Sequence, residues 1–83
     1  MDDFELFHAI GDPGSALVRK AITDWGLGPA IRFRNVVYPE VQADLTARGG
    51  AAAPALWDGR RLVTGAEAII SRLSAYRDVG RDP

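Results

Sequence analysis

The sequence predicts an α/β fold: a four-stranded mixed sheet with helices on both faces, in the order β-α-β-α-β-β-α, as a single domain over residues 1–83. Three observations carry this expectation. The run Phe4–Ile10 has the alternation of a strand but is apolar on both faces, and a Gly-Asp-Pro-Gly turn then leads into an amphipathic segment. Two short apolar runs meet across Asp58-Gly59, with Pro54 at the mouth of the first, which is the pattern of a hairpin. Gly65 closes that hairpin and releases the chain into a last amphipathic segment.

Taken in order, the first strand places Phe4, Leu6, His8 and Ile10 on one face and Glu5, Phe7 and Ala9 on the other. A central strand covered on both sides needs such a composition. Asp12 is the expected N-cap of the first helix, and Pro13 fits its first position, where a missing N–H is no loss. The helix's apolar stripe is Leu17, Val18, Ala21, Ile22 and Trp25; Gly26 or Gly28 ends it and Pro29 bars resumption. In the second strand, Ala30–Val37, Ile31 and Phe33 alternate with Arg32 and Arg34, two exposed arginines that suit an edge strand. Strand, helix, strand implies a right-handed crossover and a parallel pair.

Pro39 opens a short, weakly patterned helix with Val41 and Leu45 inward, finished by Arg48-Gly49-Gly50. Asp58-Gly59 implies a two-residue turn with both central residues at positive φ. The last helix turns Ala66, Ile69, Ile70, Leu73 and Tyr76 inward, and residues 77–83 read as a frayed tail.

Composition narrows the function. Ten basic residues face eleven acidic ones, which disfavours a nucleic-acid or anionic-membrane surface. No apolar run approaches a membrane span, and the acidic start is unlike a signal peptide, so the cytoplasm is the expected location. The chain has no cysteine, which excludes thiol redox chemistry, disulfides and thiolate metal ligation. With a single histidine, a conventional zinc site is not expected either.

The element order, with a proline opening the third strand, resembles the thioredoxin fold in its compact glutaredoxin form and the N-terminal domain of glutathione transferases. The likeness covers Phe4 to Tyr76 and is strongest from Pro54 to Ile70. It implies a cis Pro54, a backbone at Ala53 that faces a bound peptide or thiol, and a helix opening at Gly65, Ala66 and Glu67 that receives the γ-glutamyl end of glutathione. It also implies the second strand at one sheet edge and the hairpin on the other side.

The departures are as specific as the likeness. The glutaredoxin Cys-X-X-Cys or Cys-X-X-Ser is replaced by Asp12-Pro13-Gly14-Ser15, and the basic residue usually just before it aligns with Ala9 or nearby. The transferases' acidic-or-amide residue and serine become Gly65-Ala66, and their helical second domain has no counterpart in this sequence. The resemblance therefore implies a cysteine-free domain without oxidoreductase activity, binding glutathione or a peptide beside Pro54. A minimal glutathione transferase-like enzyme and a protein-interaction adaptor are the alternatives.

Three residues are candidates for chemistry, each with a structural reading beside it. Asp12 is a helix N-cap or, in place of a thiolate at the helix's positive end, an acid or an anion mimic. Ser15 is a first-turn helix residue or a nucleophile, though no base-and-orienter pair is evident to activate it. His8 is a hydrogen-bonded core residue or a group that polarises a ligand near neutral pH. Trp25 and Trp57 read as core packing, and Arg60 and Arg61 as a solvated turn or an anion site.

Overall fold

The computed structural model describes residues 4–80. Its elements are β1 (Phe4–His8), α1 (Pro13–Asp24), β2 (Ile31–Asn35), α2 (Pro39–Ala47), β3 (Ala55–Trp57), β4 (Leu62–Thr64) and α3 (Ala66–Gly80), with a 3-10 turn at Gly28–Ala30 before β2. The strands form one mixed sheet in the order β2-β1-β3-β4. β1 runs parallel to β2 and antiparallel to β3, and β3 pairs antiparallel with β4. β1 is thus central, and β2 and β4 are the edges.

The two faces of β1 anchor two separate cores. Phe4 and Leu6 pack with Val18 and Ile22 of α1, Ile31, Leu56, and Ile69 and Leu73 of α3. On the opposite face, Phe7 and Ala55 pack with Val41 and Leu45 of α2. A strand apolar on both sides is the element that lets so short a chain bury two layers.

The elements differ from expectation at several points. β1 ends at His8, and Ile10 is 68% exposed rather than inside. Its departure is held by the Asp12 N–H on the Ala9 carbonyl and by the Arg19 guanidinium on the carbonyls of Ala9 and Ile10. β2 ends at Asn35, whose Oδ1 accepts the Val37 N–H at 3.0 Å and folds the chain into a turn. In α1 the buried stripe is Ser15, Val18 and Ile22, which leaves Leu17 in solvent. Trp25 and Trp57 are half-buried lids at the core margins, each beneath a guanidinium, of Arg77 at 4.4 Å and Arg48 at 4.9 Å.

The hairpin joins where expected but turns differently. Between Trp57 and Leu62 lie four residues, and only Gly59 (φ 95°) takes a positive φ; Asp58 does not. The Asp58 carboxylate makes the difference: its Oδ1 accepts the N–H groups of both Arg60 and Arg61 at 2.9 Å. That Asx geometry builds a longer loop than the backbone-only two-residue turn. At the other end, α3 continues past Tyr76 to Gly80, so residues 77–80 are helical and not a frayed tail. Residues 81–83 of the expected tail lie outside the described residues.

Arg34 is not an exposed edge residue. Its guanidinium bridges Glu5 Oε1 at 2.6 Å and Asp44 Oδ2 at 2.7 Å, and Arg48 Nη1 lies 3.0 Å from Glu5 Oε2. Both arginines also lie over the Phe7 ring. Of the two β2 arginines, only Arg32 is exposed. Burial alone raises the Glu5 pKa, but the hydrogen bond from Arg34 and charge pairing with Arg34 and Arg48 outweigh that, and the net shift is downward.

Candidate functional site

The C-terminal ends of the parallel pair and the loops around them are where open α/β sheets place ligands, because there the chain leaves the ladder and its backbone groups fall free. In this protein the β1–α1 turn, the loop from Gly49 to Pro54 and the start of α3 come together at that end. A groove of about 450 Å³ is lined by Gly49 to Pro54 with Thr64 and Gly65. The Ala53–Pro54 peptide bond is cis, and the Pro54 carbonyl accepts the Gly65 N–H at 3.3 Å. Gly14, in the first turn of α1, abuts the Pro54 ring so closely that a Cβ there would sit 3.2 Å from Pro54 Cδ.

Of the five ligand-contacting residues expected, Ala53, Pro54 and Gly65 line this groove and the other two do not. Ala66 is half-buried against the core, and Glu67 is exposed in the first turn of α3. The groove's distinguishing feature is backbone. Ala51, Ala52 and Ala53 form no hydrogen bond with any described residue, and their side chains are only methyl groups. Three consecutive residues thus have unpaired N–H and C=O groups, with Ala51 and Ala52 exposed and Ala53 half-buried.

The candidates for chemistry are built into the turn beside the groove. Asp12 caps α1, its Oδ2 accepting the Ser15 N–H at 2.7 Å. Ser15 is fully buried, and its Oγ accepts the Ala9 N–H at 3.1 Å. The hydroxyl oxygen therefore stitches helix to strand end. His8 is buried, its ring edge-on to Phe33, with Nδ1 at 3.1 Å from Arg19 Nη1. Because a guanidinium only donates, Nδ1 accepts and the ring proton resides on Nε2. Burial, and secondarily the Arg19 charge, push the His8 pKa below the ordinary histidine value. Ser15 Oγ and His8 Nδ1 thus each have a partner within the β1–α1 region.

Two charged clusters go beyond the sequence reading, which offered Arg60 and Arg61 as a solvated turn or an anion site but not the partners that gather round them. One is the Glu5, Arg34, Asp44 and Arg48 network over Phe7; its only signal is an acidic residue on a two-sided apolar strand. The other surrounds the hairpin loop, where Asp58, Arg60, Arg61 and Arg72 line a cleft of about 550 Å³. The Asp58 carboxyl is held below the usual carboxylate range, chiefly by the Arg61 N–H, with the Arg60 N–H and the Arg72 guanidinium adding to it against burial. Among the described residues no helix is long and apolar enough to cross a membrane, and no group of histidine and carboxylate side chains is placed to hold a metal ion.

Compared with known proteins, the chain matches no protein-family model, no curated protein and no solved structure.

Proposed function

We propose that the protein is a binding domain on a thioredoxin-like frame of the glutaredoxin form, and that it takes glutathione or another short extended peptide along Ala51–Pro54. The observation that carries this reading is the stretch of unpaired backbone at Ala51, Ala52 and Ala53 beside an open groove. Such a segment recognises an extended peptide by main-chain pairing, in the manner of strand addition, without specialised side chains. The strand order with one parallel pair supports the thioredoxin-like frame. A binding role is favoured over catalysis because the Ser15 hydroxyl and His8 Nδ1 both have structural partners within the β1–α1 region. No observation favours the transferase-like alternative.

The test is a titration of ¹⁵N-labelled protein with reduced glutathione and, separately, with a thiol-free extended tripeptide, following backbone amide shifts. Saturable shifts centred on Ala51, Ala52, Ala53 and Gly65 are the expected result. Shifts with both ligands mark a main-chain site; shifts with glutathione alone, weakened by Glu67→Ala, mark γ-glutamyl recognition at the α3 start. No shift with either ligand at millimolar concentration overturns the reading.

A further inference from the structure

The cleft at the hairpin loop lies at the opposite end of the sheet from the groove. The antiparallel register Glu5↔Trp57 and Phe7↔Ala55 puts the β3–β4 loop beside the start of β1, whereas Pro54 lies beside its end. The two places are independent in position and in chemistry. The groove is lined by alanines and glycines with one threonine; the cleft is lined by one carboxylate and three guanidinium groups. In a chain with a formal net charge of -1, that concentration of positive charge is local.

Three features distinguish this cluster from a solvated turn. The Asp58 side chain is only 7% exposed, and its carboxylate is spent inside the protein. One oxygen takes the backbone N–H groups of Arg60 and Arg61, and the other faces Arg72 Nε at 3.4 Å. Asp58 is therefore the organiser of the cleft and presents little negative charge to an incoming anion. Second, Arg72 is fixed before any ligand arrives. Its Nε is held by Asp58, and its guanidinium carbon stacks 5.2 Å from the centroid of the Phe4 ring, while the side chain stays about one-third exposed. Its terminal nitrogens have no partner among the described residues. Third, the loop backbone is pinned at both Arg60 and Arg61, so these two exposed side chains project from defined positions.

We propose that Arg60, Arg61 and Arg72 form a binding site for the phosphate group of a small phosphorylated molecule. Guanidinium groups pair with oxyanions in parallel, charge-assisted hydrogen bonds. A carboxylate offers two oxygens and one charge, which one fork satisfies. A phosphate monoester offers three terminal oxygens and nearly two charges at neutral pH, matching three forks. The loss of side-chain freedom that weakens most surface arginine sites is already incurred at Arg72 through Asp58 and Phe4. The cleft volume, about 550 Å³, exceeds what a bare phosphate fills and falls within the usual range of small-molecule sites.

The experiment is a titration of the ¹⁵N-labelled 83-residue chain with inorganic phosphate and with glycerol phosphate, at about pH 7.5 where both carry mostly two charges. Sodium chloride at matched ionic strength is the control. The Arg72 Nε–Hε resonance and the amides of Arg60 and Arg61 are expected to shift saturably with the phosphates and not with chloride. Tighter binding of the ester assigns the site to a phosphorylated small molecule, and equal binding assigns it to free phosphate. The double variant Arg60→Ala with Arg61→Ala keeps both backbone N–H groups, hence the Asp58 loop, and is expected to weaken binding about tenfold or more. Shifts reproduced by chloride, or a double variant that binds phosphate as the parent does, overturn the proposal. The groove at Ala51–Pro54 is outside this test, so the two sites stand or fall separately.

Discussion

Removing the Glu5 carboxylate is expected to destabilise the protein far more than the loss of a surface ion pair. Its side chain is 14% exposed, and its two oxygens serve Arg34 and Arg48, whose side chains are 12% and 28% exposed. Breaking a fully buried pair by deleting one partner costs about 3–5 kcal/mol, whereas an exposed pair contributes about 0–1 kcal/mol. Glu5→Ala leaves Arg34 with its Asp44 contact but strips Arg48 Nη1 of its ion-pair partner, and that nitrogen is fully enclosed. With water reaching one edge of the network, the expected cost is about 2–3 kcal/mol. Urea unfolding at neutral pH measures it. A companion variant, Glu5→Ala with Arg48→Met, removes the half-buried cation together with its partner and is expected to recover part of the loss.

The pH dependence of Glu5 has a defined sign. Its folded pKa lies below the unfolded value, so the unfolded chain binds the proton more readily. The contribution is complete above about pH 4.3, the ordinary glutamate value, and disappears as pH falls through the lower folded value. Glu5→Gln should flatten the acid limb of the stability curve. A Glu5→Ala variant that unfolds within about 0.5 kcal/mol of the parent would refute the reasoning, since it would mean that Arg34 and Arg48 are as well solvated without the carboxylate as with it.

Three further outcomes are expected. Ser15→Ala leaves the half-buried Ala9 N–H without its acceptor and should cost about 1–2 kcal/mol, read by denaturant titration; a neutral effect would show that water reaches that amide. Gly50→Ala drives a Cβ into the side chain of buried Leu45 and to 2.8 Å from Leu62 Cδ2, and should cost about 1–3 kcal/mol by overpacking, checked by a lower thermal midpoint. His8 titrates below its unfolded value of about 6.5, so stability should decline as pH falls from about 7 toward its folded pKa; an imidazole NMR titration locates that pKa, and His8→Phe should remove this limb.

What could be read in advance follows from the range of the interactions. β1 was legible because its alternation is apolar twice over, and α1 because Asp12 and Pro13 mark its start by contacts within three residues. Pro39 and the glycines after Arg48 bracketed α2, and Val41 and Leu45 face inward as expected. The hairpin's position was legible and its turn was not. Asp-Gly fits a two-residue turn as well as it fits a four-residue loop, and here the Asp58 carboxylate is engaged by two loop amides and by Arg72, fourteen residues on. Arg34 failed for the same reason: its partner Glu5 is twenty-nine residues away, and an alternating strand pattern cannot show that an arginine is neutralised. Of the candidate groove, the residues that meet through the fold's topology, Ala53, Pro54 and Gly65, were found. Ala66 and Glu67 were not brought in, because the α3 start turns one against the core and the other to solvent.

The turn at the head of α1 also sets the terms on which a redox motif could be engineered into this frame. Asp12 and Ser15 occupy the two positions where the glutaredoxin resemblance would put sulfur, and both side chains are already joints in the structure. Replacing Asp12 by cysteine removes the helix cap, at about 1 kcal/mol, and replacing Ser15 exchanges a good hydrogen-bond acceptor for a poor, bulkier one at a fully buried position. A dithiol variant would therefore start with a weakened helix start, and restoring the cap elsewhere in that turn is the first step of any such design.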